Sequence, residues 1–251
     1  MAEATVETTT EKLTRVRKVI ATRMHQSLSA SAQLTSALEV DLGLVMDARR
    51  EHGAAFKAAH GVSLSPLAAV AAAVCRALAE PAHRMLNATI DLDAGTASYH
   101  RGTNLGFAVD TPAGLMVPNV KGAHGLTVAG LARETAAVAA RARDGRLKLA
   151  DIEGGTFTIT NTGSRGSLLD TPILNAPETG ILAVGKAERR PVAVGTPGAD
   201  ERVEIRDMAY LCLTYDHRLV DGADAARFLS AVKADLEDRK IDPVTDLELP
   251  R

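Results

Sequence analysis

Residues 210–222 read Tyr-Leu-Cys-Leu-Thr-Tyr-Asp-His-Arg-Leu-Val-Asp-Gly, and this stretch predicts the strand and turn around which the chain is organised. Its apolar and aromatic beginning predicts a buried strand. The strand stops at a polar cluster in which His217 and Asp221 stand four positions apart, and Gly222 interrupts the chain before a helical segment. A strand that ends in a charged turn and enters a helix holds a reactive side chain rigidly at the rim of a sheet.

The whole chain has the composition of a globular domain. Of its 251 residues, 46% are hydrophobic and 24% are charged, which is enough for a substantial core. A formal net charge of -2 and an aromatic content of 3% argue against nucleic-acid binding. No apolar run approaches the ~20 residues of a membrane-spanning helix. The polar N-terminus does not resemble a signal peptide. We therefore expect neither a nucleic-acid nor a membrane partner.

The two cysteines, Cys75 and Cys212, both lie in apolar runs. This setting predicts buried free thiols in a reducing compartment, and hence a cytoplasmic protein. The cysteines lack the spacing of metal ligands, so no metal site is predicted. No glycine-rich phosphate loop occurs, which argues against nucleotide-dependent chemistry.

Helical and strand patterns are mixed along the chain. Hydrophobic periodicity and capping residues predict helices over residues 13–28, 42–59, 66–79, 127–143 and 223–236. Strands are predicted over residues 33–41, 87–90, 96–100, 156–160, 180–184 and 210–215, and hairpins over 104–120 and 191–205. Because hairpins exclude a purely parallel sheet, the predicted class is α/β, a mixed sheet with packed helices.

The first helical segment, residues 13–28, is strongly basic. Two interpretations remain open for it: an amphipathic surface helix, or a face that docks on a neighbouring subunit. Among seven histidines, His217 stands apart because it follows a buried strand and lies between Asp216 and Arg218. On spacing alone, a His-x-x-x-Asp pair is as consistent with a structural ion-pair cluster as with a catalytic base. The other six are expected to be surface residues: His25, His52, His60, His83, His100 and His124.

The full string at residues 216–222 resembles the active-site signature of the 2-oxo acid dehydrogenase acyltransferases. These are the core components of the pyruvate, 2-oxoglutarate and branched-chain dehydrogenase complexes. Further stretches that resemble the family are residues 17–24, 105–120, 154–163 and 175–185. The resemblance implies a chloramphenicol-acetyltransferase-like two-layer fold in a trimer. The polar N-terminus is interpreted as a flexible lead or linker remnant, residues 1–12, and the resemblance implies an acyltransferase catalytic domain over residues 13–251.

The implied reaction moves an acyl group between two thiols, those of dihydrolipoamide and coenzyme A. Since a free thiol has a pKa near ~8.5, a base with a pKa near neutrality is needed, and the resemblance assigns this role to His217. It implies that Thr160, in the string Thr-Ile-Thr-Asn at residues 158–161, donates a hydrogen bond to the oxyanion. From the residues alone, Thr160 is a strand-end hydroxyl. Asp221 is implied to order the site by pairing with an arginine. The best match is Arg49, with Arg50 as the alternative, and such an arginine also suits coenzyme A phosphates.

The resemblance implies partners as well. It predicts a homotrimer whose active site lies between subunits, so that His217 and Thr160 come from different chains. The lipoyl group would be a substrate delivered by a separate domain, because the chain shows no lipoyl acceptor motif and is interpreted as an excised catalytic core. The decarboxylase and the dihydrolipoamide dehydrogenase would be further partners. A polar C-terminus with two prolines, residues 242–251, puts a larger cage in doubt, although Leu247 and Leu249 offer an anchor.

Several functions remain open. Acetyl transfer in the pyruvate dehydrogenase complex is favoured, because the strings around Asn161 and His217 look closest to acetyl-transferring cores. Succinyl or branched-chain acyl transfer in a sister complex is the runner-up, since threonine at position 160 is seen in succinyltransferases. An antibiotic acetyltransferase and a non-catalytic scaffold core are the alternatives of other kinds. Intact His217, Asp221 and Thr160 argue against the scaffold.

Overall fold

The computed structural model describes residues 6–251, so part of the predicted lead, residues 1–5, lies outside the described residues. Residues 6–14 carry no helix or strand. The helices are α1 Arg15–Ala30, α2 Gly43–His60, α3 Pro66–Ala79, α4 Val128–Arg143, α5 Leu149–Ile152 and α6 Gly222–Asp238. The strands are β1 Gln33–Asp41, β2 Ala88–Asp91, β3 Thr96–Tyr99, β4 Leu105–Phe107, β5 Val109–Thr111, β6 Gly114–Met116, β7 Asn119–Val120, β8 Phe157–Asn161, β9 Gly180–Val184, β10 Glu188–Val194 and β11 Arg202–Asp216.

Local sequence signals set the helix ends. The Ser65 hydroxyl accepts a hydrogen bond from the backbone N–H of Leu67, and proline at position 66 starts α3 without losing a needed donor. The Thr127 hydroxyl caps α4 by accepting from the N–H of Gly130 at 3.0 Å. Helix α2 ends at Gly61, whose φ of 71° is a left-handed conformation that glycine adopts without a Cβ penalty.

The main sheet has seven strands in the order β1-β11-β9-β8-β4-β7, with β10 paired to the first half of β11. Strand β11 is antiparallel to β1, β9 and β10, whereas β8 is parallel to both β4 and β9. The prediction of a mixed sheet with packed helices is therefore confirmed. Two small hairpins, β2–β3 and β5–β6, lie outside the main sheet.

Helices α2, α3, α4 and α6 contact one another and form a layer against the sheet. Helix α3 is the centre of this layer, since ten of its residues are buried, mostly alanine and valine. Phe157 of β8 and Phe228 of α6 meet at a ring distance of 5.8 Å, and both are fully buried. Full burial of such a side chain stabilises the fold by about 1.5–3 kcal/mol. The predicted buried thiols are also confirmed, and burial raises the pKa of Cys75.

Two sequence predictions about local structure need correction. The hairpin expected over residues 104–120 is interrupted: β4 pairs with β7, while β5 pairs with β6 apart from the main sheet. The interruption has a physical cause, because Pro118 has no N–H to donate and the N–H of Ala108 turns instead to the carbonyl of Ile159 on β8. His83 is buried rather than exposed, and burial lowers its pKa. Its ring meets the edge of Phe228.

The C-terminal segment folds back onto the chain's own core. Leu247 is 0% exposed and Leu249 is 8% exposed. The backbone carbonyl of Leu247 accepts a hydrogen bond from Nε2 of His60 at 2.8 Å, and Arg133 forms an ion pair with Glu248 at 2.8 Å. The two leucines, expected to offer an anchor between trimers, are therefore committed within one chain. Among residues 6–251, no helix is both long enough and apolar enough to cross a membrane.

Candidate active site

His217 occupies the first position of the turn that joins β11 to α6. Its backbone N–H donates to the carbonyl of Ala32 at 2.8 Å, and the N–H groups of Leu219 and Val220 both donate to the carbonyl of Asp216 at 3.0 Å. These bonds fix the turn between a long strand and a 17-residue helix. The imidazole is 42% exposed and lies 5.7 Å from the ring of buried Tyr215. A fixed backbone with a solvent-accessible imidazole is the arrangement that a general base needs.

Asp221 lies beside the imidazole. Its Oδ1 is 3.8 Å from Nδ1 of His217, and its side chain is 80% exposed in the single chain. Asp221 also stands at the N-cap of α6, where its backbone N–H donates to Oδ2 of Asp224 at 3.1 Å. The carboxylate is positioned to stabilise a positively charged imidazole. His217 and Asp221 are four residues apart in sequence, and the turn between them places their side chains next to each other at the start of α6.

Thr160 is the fourth residue of β8 and is half-buried. Within residues 6–251 its hydroxyl forms no hydrogen bond, so it is free to donate. The following residue, Asn161, accepts at Oδ1 from the N–H of Ser164 and begins a tight loop. Gly163 in this loop lies so close to Gly185 that an added Cβ would stand 2.4 Å from its backbone. The loop therefore depends on glycine for its approach to β9.

Thr160 and His217 do not meet within one chain. Thr160 pairs with Ala183 of β9, and Ala183 pairs with Cys212 of β11. Cys212 precedes Asp216 by four residues, which is about 13 Å of strand, and two strand spacings add about 10 Å across the sheet. The imidazole at the end of β11 therefore lies far from the Thr160 hydroxyl of the same chain.

Arg49 and Arg50 lie in α2, which begins where β1 ends. Asp41, the last residue of β1, pairs with Met208, eight residues before Asp216 and about 26 Å away along β11. Arg50 pairs with Asp47 and approaches Asp207, while Arg49 is exposed. Within one chain, neither arginine lies near Asp221. The ion pair of Asp221 with Arg49 or Arg50 therefore stays a prediction, which an arginine of a neighbouring subunit could satisfy.

A buried acid lies beneath the Thr160 strand. Glu178 is 4% exposed, its Oε2 accepts from the Thr158 hydroxyl at 2.6 Å, and its Oε1 accepts from the Asn175 amide at 2.8 Å. Burial raises the pKa of Glu178 to about 7, although the two hydrogen bonds oppose the increase. Through Thr158, this carboxyl is linked to the strand that carries Thr160.

A cavity of about 390 Å³ lies next to the histidine turn. It is enclosed by the end of α1, the β2–β3 hairpin and the loop before β9, and its lining includes Ser27, Asp91, Leu174, Glu178 and Arg218. His217 and Thr160 are not among its lining residues. The cavity is therefore separate from the two side chains that the sequence predicts to be catalytic.

Asp216, Arg218 and Glu178 form part of this region without being predicted as site residues. In the sequence, Asp216 and Arg218 stand out only as the neighbours of His217. The one available signal was a carboxylate at the end of an apolar strand followed two residues later by arginine, a pattern that predicts an ion pair at a turn. Glu178 gave a weaker signal, an acid directly before an apolar strand, and its burial follows only from the fold.

Comparisons with known proteins agree on one family. Residues 5–241 match the family model described as 2-oxoacid dehydrogenases acyltransferase (catalytic domain). The chain is 46% identical over 230 residues to the dihydrolipoyllysine-residue acetyltransferase component of the pyruvate dehydrogenase complex of Mycobacterium bovis. The match covers 92% of this chain and 41% of that protein. The chain is also 43% identical over 229 residues to a succinyltransferase component of the 2-oxoglutarate dehydrogenase complex from Bartonella vinsonii, covering 90% of this chain and 53% of that protein.

Solved structures lead to the same conclusion. A probable dihydrolipoamide acetyltransferase from Listeria monocytogenes superposes with a TM-score of 0.86 at 35% identity, covering 94% of this chain and 98% of that one. A chloramphenicol acetyltransferase superposes with a TM-score of 0.51 at 16% identity, covering 90% and 96%, and shows that the fold is shared. The chain spans about two fifths of the length of the first of these relatives. By sequence and by fold, the chain belongs to the family of 2-oxoacid dehydrogenase acyltransferase catalytic domains.

Proposed function

We propose that the chain transfers an acetyl group between dihydrolipoamide and coenzyme A, as the core of a pyruvate dehydrogenase complex. The observation that carries this proposal is the exposed imidazole of His217, fixed by its backbone and paired with Asp221 at 3.8 Å. The 46% identical relative supports the acetyl group and the complex.

In the proposed mechanism, His217 takes the proton of the attacking thiol. The thiolate then forms a bond to the thioester carbonyl carbon, and negative charge builds on the carbonyl oxygen. Asp221 stabilises the imidazolium, and the Thr160 hydroxyl donates a hydrogen bond to the oxyanion. When the intermediate collapses, the original carbon–sulfur bond breaks and the leaving thiolate recovers the proton from His217. General-base help of this kind is worth roughly 10²–10⁴-fold in rate.

The proposed site is completed by a second subunit of a homotrimer. The separation of Thr160 from His217 within one chain supports this arrangement. The base and the oxyanion donor must both reach the same thioester, and one chain does not bring them together. A neighbouring subunit would bring its Thr160 to this chain's His217, and cyclic symmetry would create three such sites. We also propose that residues 13–251 form the catalytic domain and that the exposed residue Arg49 contacts coenzyme A.

The lipoyl group is proposed as a substrate delivered by a separate lipoyl domain. The decarboxylase would reductively acetylate the lipoyl group, and the dihydrolipoamide dehydrogenase would reoxidise the dithiol that remains after transfer. Succinyl transfer is the second candidate, and the 43% identical succinyltransferase supports it. A second carboxylate needs a cation in the pocket. The arginine next to the base, Arg218, is already bound by Asp216 at 2.6 Å, so it would not be free to hold that carboxylate.

Steady-state rates with dihydrolipoamide and each of acetyl-, succinyl- and isobutyryl-coenzyme A test the proposal. We expect acetyl-coenzyme A to give the highest kcat/KM, and the His217→Ala variant to lose activity while remaining folded. A preference for succinyl-coenzyme A would assign the chain to a sister complex. A folded protein with no activity toward any of the three would indicate a scaffold, and acetylation of chloramphenicol would indicate the antibiotic-modifying branch.

A further inference from the structure

The carboxylate of Asp216 is the centre of a hydrogen-bonded cluster at the catalytic turn. It is 3% exposed and accepts from Nε and Nη2 of Arg218, at 2.9 Å to Oδ1 and 2.6 Å to Oδ2. Its Oδ1 also accepts from the backbone N–H of Arg218 at 3.1 Å and from that of Ala32 at 3.4 Å. An arginine–carboxylate fork of this kind fixes orientation as well as charge.

This cluster also constrains the backbone of His217. Since His217 lies between Asp216 and Arg218, the fork between their side chains closes a small ring that includes the His217 backbone. The N–H of His217 donates to the carbonyl of Ala32, whose own N–H is directed at Asp216. Both backbone groups of Ala32, which lies between α1 and β1, therefore hold the histidine segment.

The charge state of the cluster is well defined. Burial alone would raise the pKa of Asp216, but the hydrogen bonds and positive charge of Arg218 and the N–H of Ala32 outweigh burial and lower it. Asp216 is therefore ionised at neutral pH, and the charge of Arg218 is compensated. The imidazole of His217 then faces one uncompensated charge from this segment, that of Asp221.

We propose that Asp216, through Arg218 and Ala32, is a positioning residue that holds the His217 imidazole in its catalytic orientation. This inference rests on the proposed function of His217 as the base. It predicts that breaking the fork lowers kcat with little change in either KM, because the imidazole is misplaced while the substrates still bind. A misplacement of about 1 Å can cost on the order of 100-fold in rate.

Asp216→Asn tests this inference, since asparagine keeps an acceptor for the Ala32 N–H but cannot hold the guanidinium as a charged partner. We expect kcat to fall by about 10- to 100-fold. The acid limb of the kcat/KM profile should also move to lower pH, because the uncompensated Arg218 charge opposes protonation of the neighbouring imidazole. Arg218→Lys should retain more activity than Arg218→Gln, since lysine keeps the charge but not the fork.

Asp235→Asn is the matched control. Asp235 forms the same kind of fork with Arg76, with Nε to Oδ1 at 2.8 Å, but joins α3 to α6 away from the histidine turn. A purely structural role for Asp216 would make both variants alike in melting temperature, kcat and pH profile. That outcome would overturn the proposal.

Amide hydrogen exchange at His217 separates this proposal from the proposed function. Exchange should be faster in Asp216→Asn than in the parent chain, and unchanged in Asp235→Asn. If the parent chain transfers no acyl group, the proposed function fails, and faster exchange still supports the positioning role. If the parent chain is active but Asp216→Asn changes neither kcat nor exchange, the positioning role is wrong and the function stands.

Discussion

His217 lies just beyond the end of β11, whereas Thr160 of the same chain lies two strands away, level with Cys212. Their separation follows from the strand register, in which Thr160 aligns through Ala183 with Cys212, four residues before the end of β11. The two groups proposed for catalysis therefore belong to one site only if that site is shared between subunits.

Mixed trimers test the shared site directly. His217→Ala and Thr160→Val homotrimers should each be nearly inactive. In a random equal mixture, each mixed trimer would contain one site with both groups intact, so about one quarter of the parent activity should return. Activity is measured after joint refolding, with separately refolded proteins mixed as the control. No recovery would place both groups of each site in the same chain.

Replacement of Thr160 tests the oxyanion donor. Thr160→Ser keeps the hydroxyl and should retain most of kcat. Thr160→Val keeps the shape but removes the donor, and should lower kcat by about 10²–10³-fold. Single-turnover rates with saturating acetyl-coenzyme A measure the chemical step. Equal activity of the serine and valine variants would remove Thr160 from the mechanism.

Asp221→Asn tests the carboxylate beside the base. Asparagine remains a good N-cap for α6, so the fold should be unaffected. An exposed ion pair is weak, and loss of the charge should lower kcat by only about fivefold. A loss of about 100-fold would indicate that a neighbouring subunit buries the pair. An unchanged kcat would show that Asp221 acts only as a helix cap.

Glu178 should make stability depend on pH. Its pKa rises from 4.5 in the unfolded chain to about 7 in the fold, so between these values the native state binds more protons than the unfolded state. The free energy of unfolding therefore falls as pH increases through this interval, by about 3 kcal/mol in total. Glu178→Gln should remove this dependence in denaturant titrations at pH 5 and pH 8. The exposed control Glu201→Gln should retain it, and a parent chain with equal stability at both values would contradict the prediction.

Leu247 should stabilise the single chain rather than an assembly of trimers. Because it is fully buried, Leu247→Ala should lower the free energy of unfolding by about 2–5 kcal/mol. Leu149, which is 69% exposed, provides the control Leu149→Ala with little expected effect. Denaturant unfolding measures the difference, and sedimentation velocity gives the assembly size. Unchanged stability together with loss of a larger assembly would restore Leu247 as an anchor between trimers.

Much of the secondary structure was predictable because its signals are local. The predicted strands at residues 33–41 and 180–184 match β1 and β9, and the cap at Ser65 marks the start of α3. The hairpin at residues 104–120 forms in the predicted region and keeps one register, but its interruption was not predicted. At the interruption, Pro118 has no N–H to donate and Ala108 donates to Ile159 of β8, a strand that is distant in sequence.

The sequence by itself determined the family, the strand–turn–helix around His217 and the proximity of Asp221, because a spacing of four residues across a turn is set by the covalent chain. Only the tertiary structure decided how far Thr160 lies from His217 within one chain, that Arg49 lies away from Asp221 of the same chain, and that Asp216 binds the N–H of Ala32, 184 residues away. These relationships depend on strand register and on exclusion of water from the core. Both are properties of the packed sheet and helices, since no local stretch of residues specifies which distant groups will be aligned or buried together.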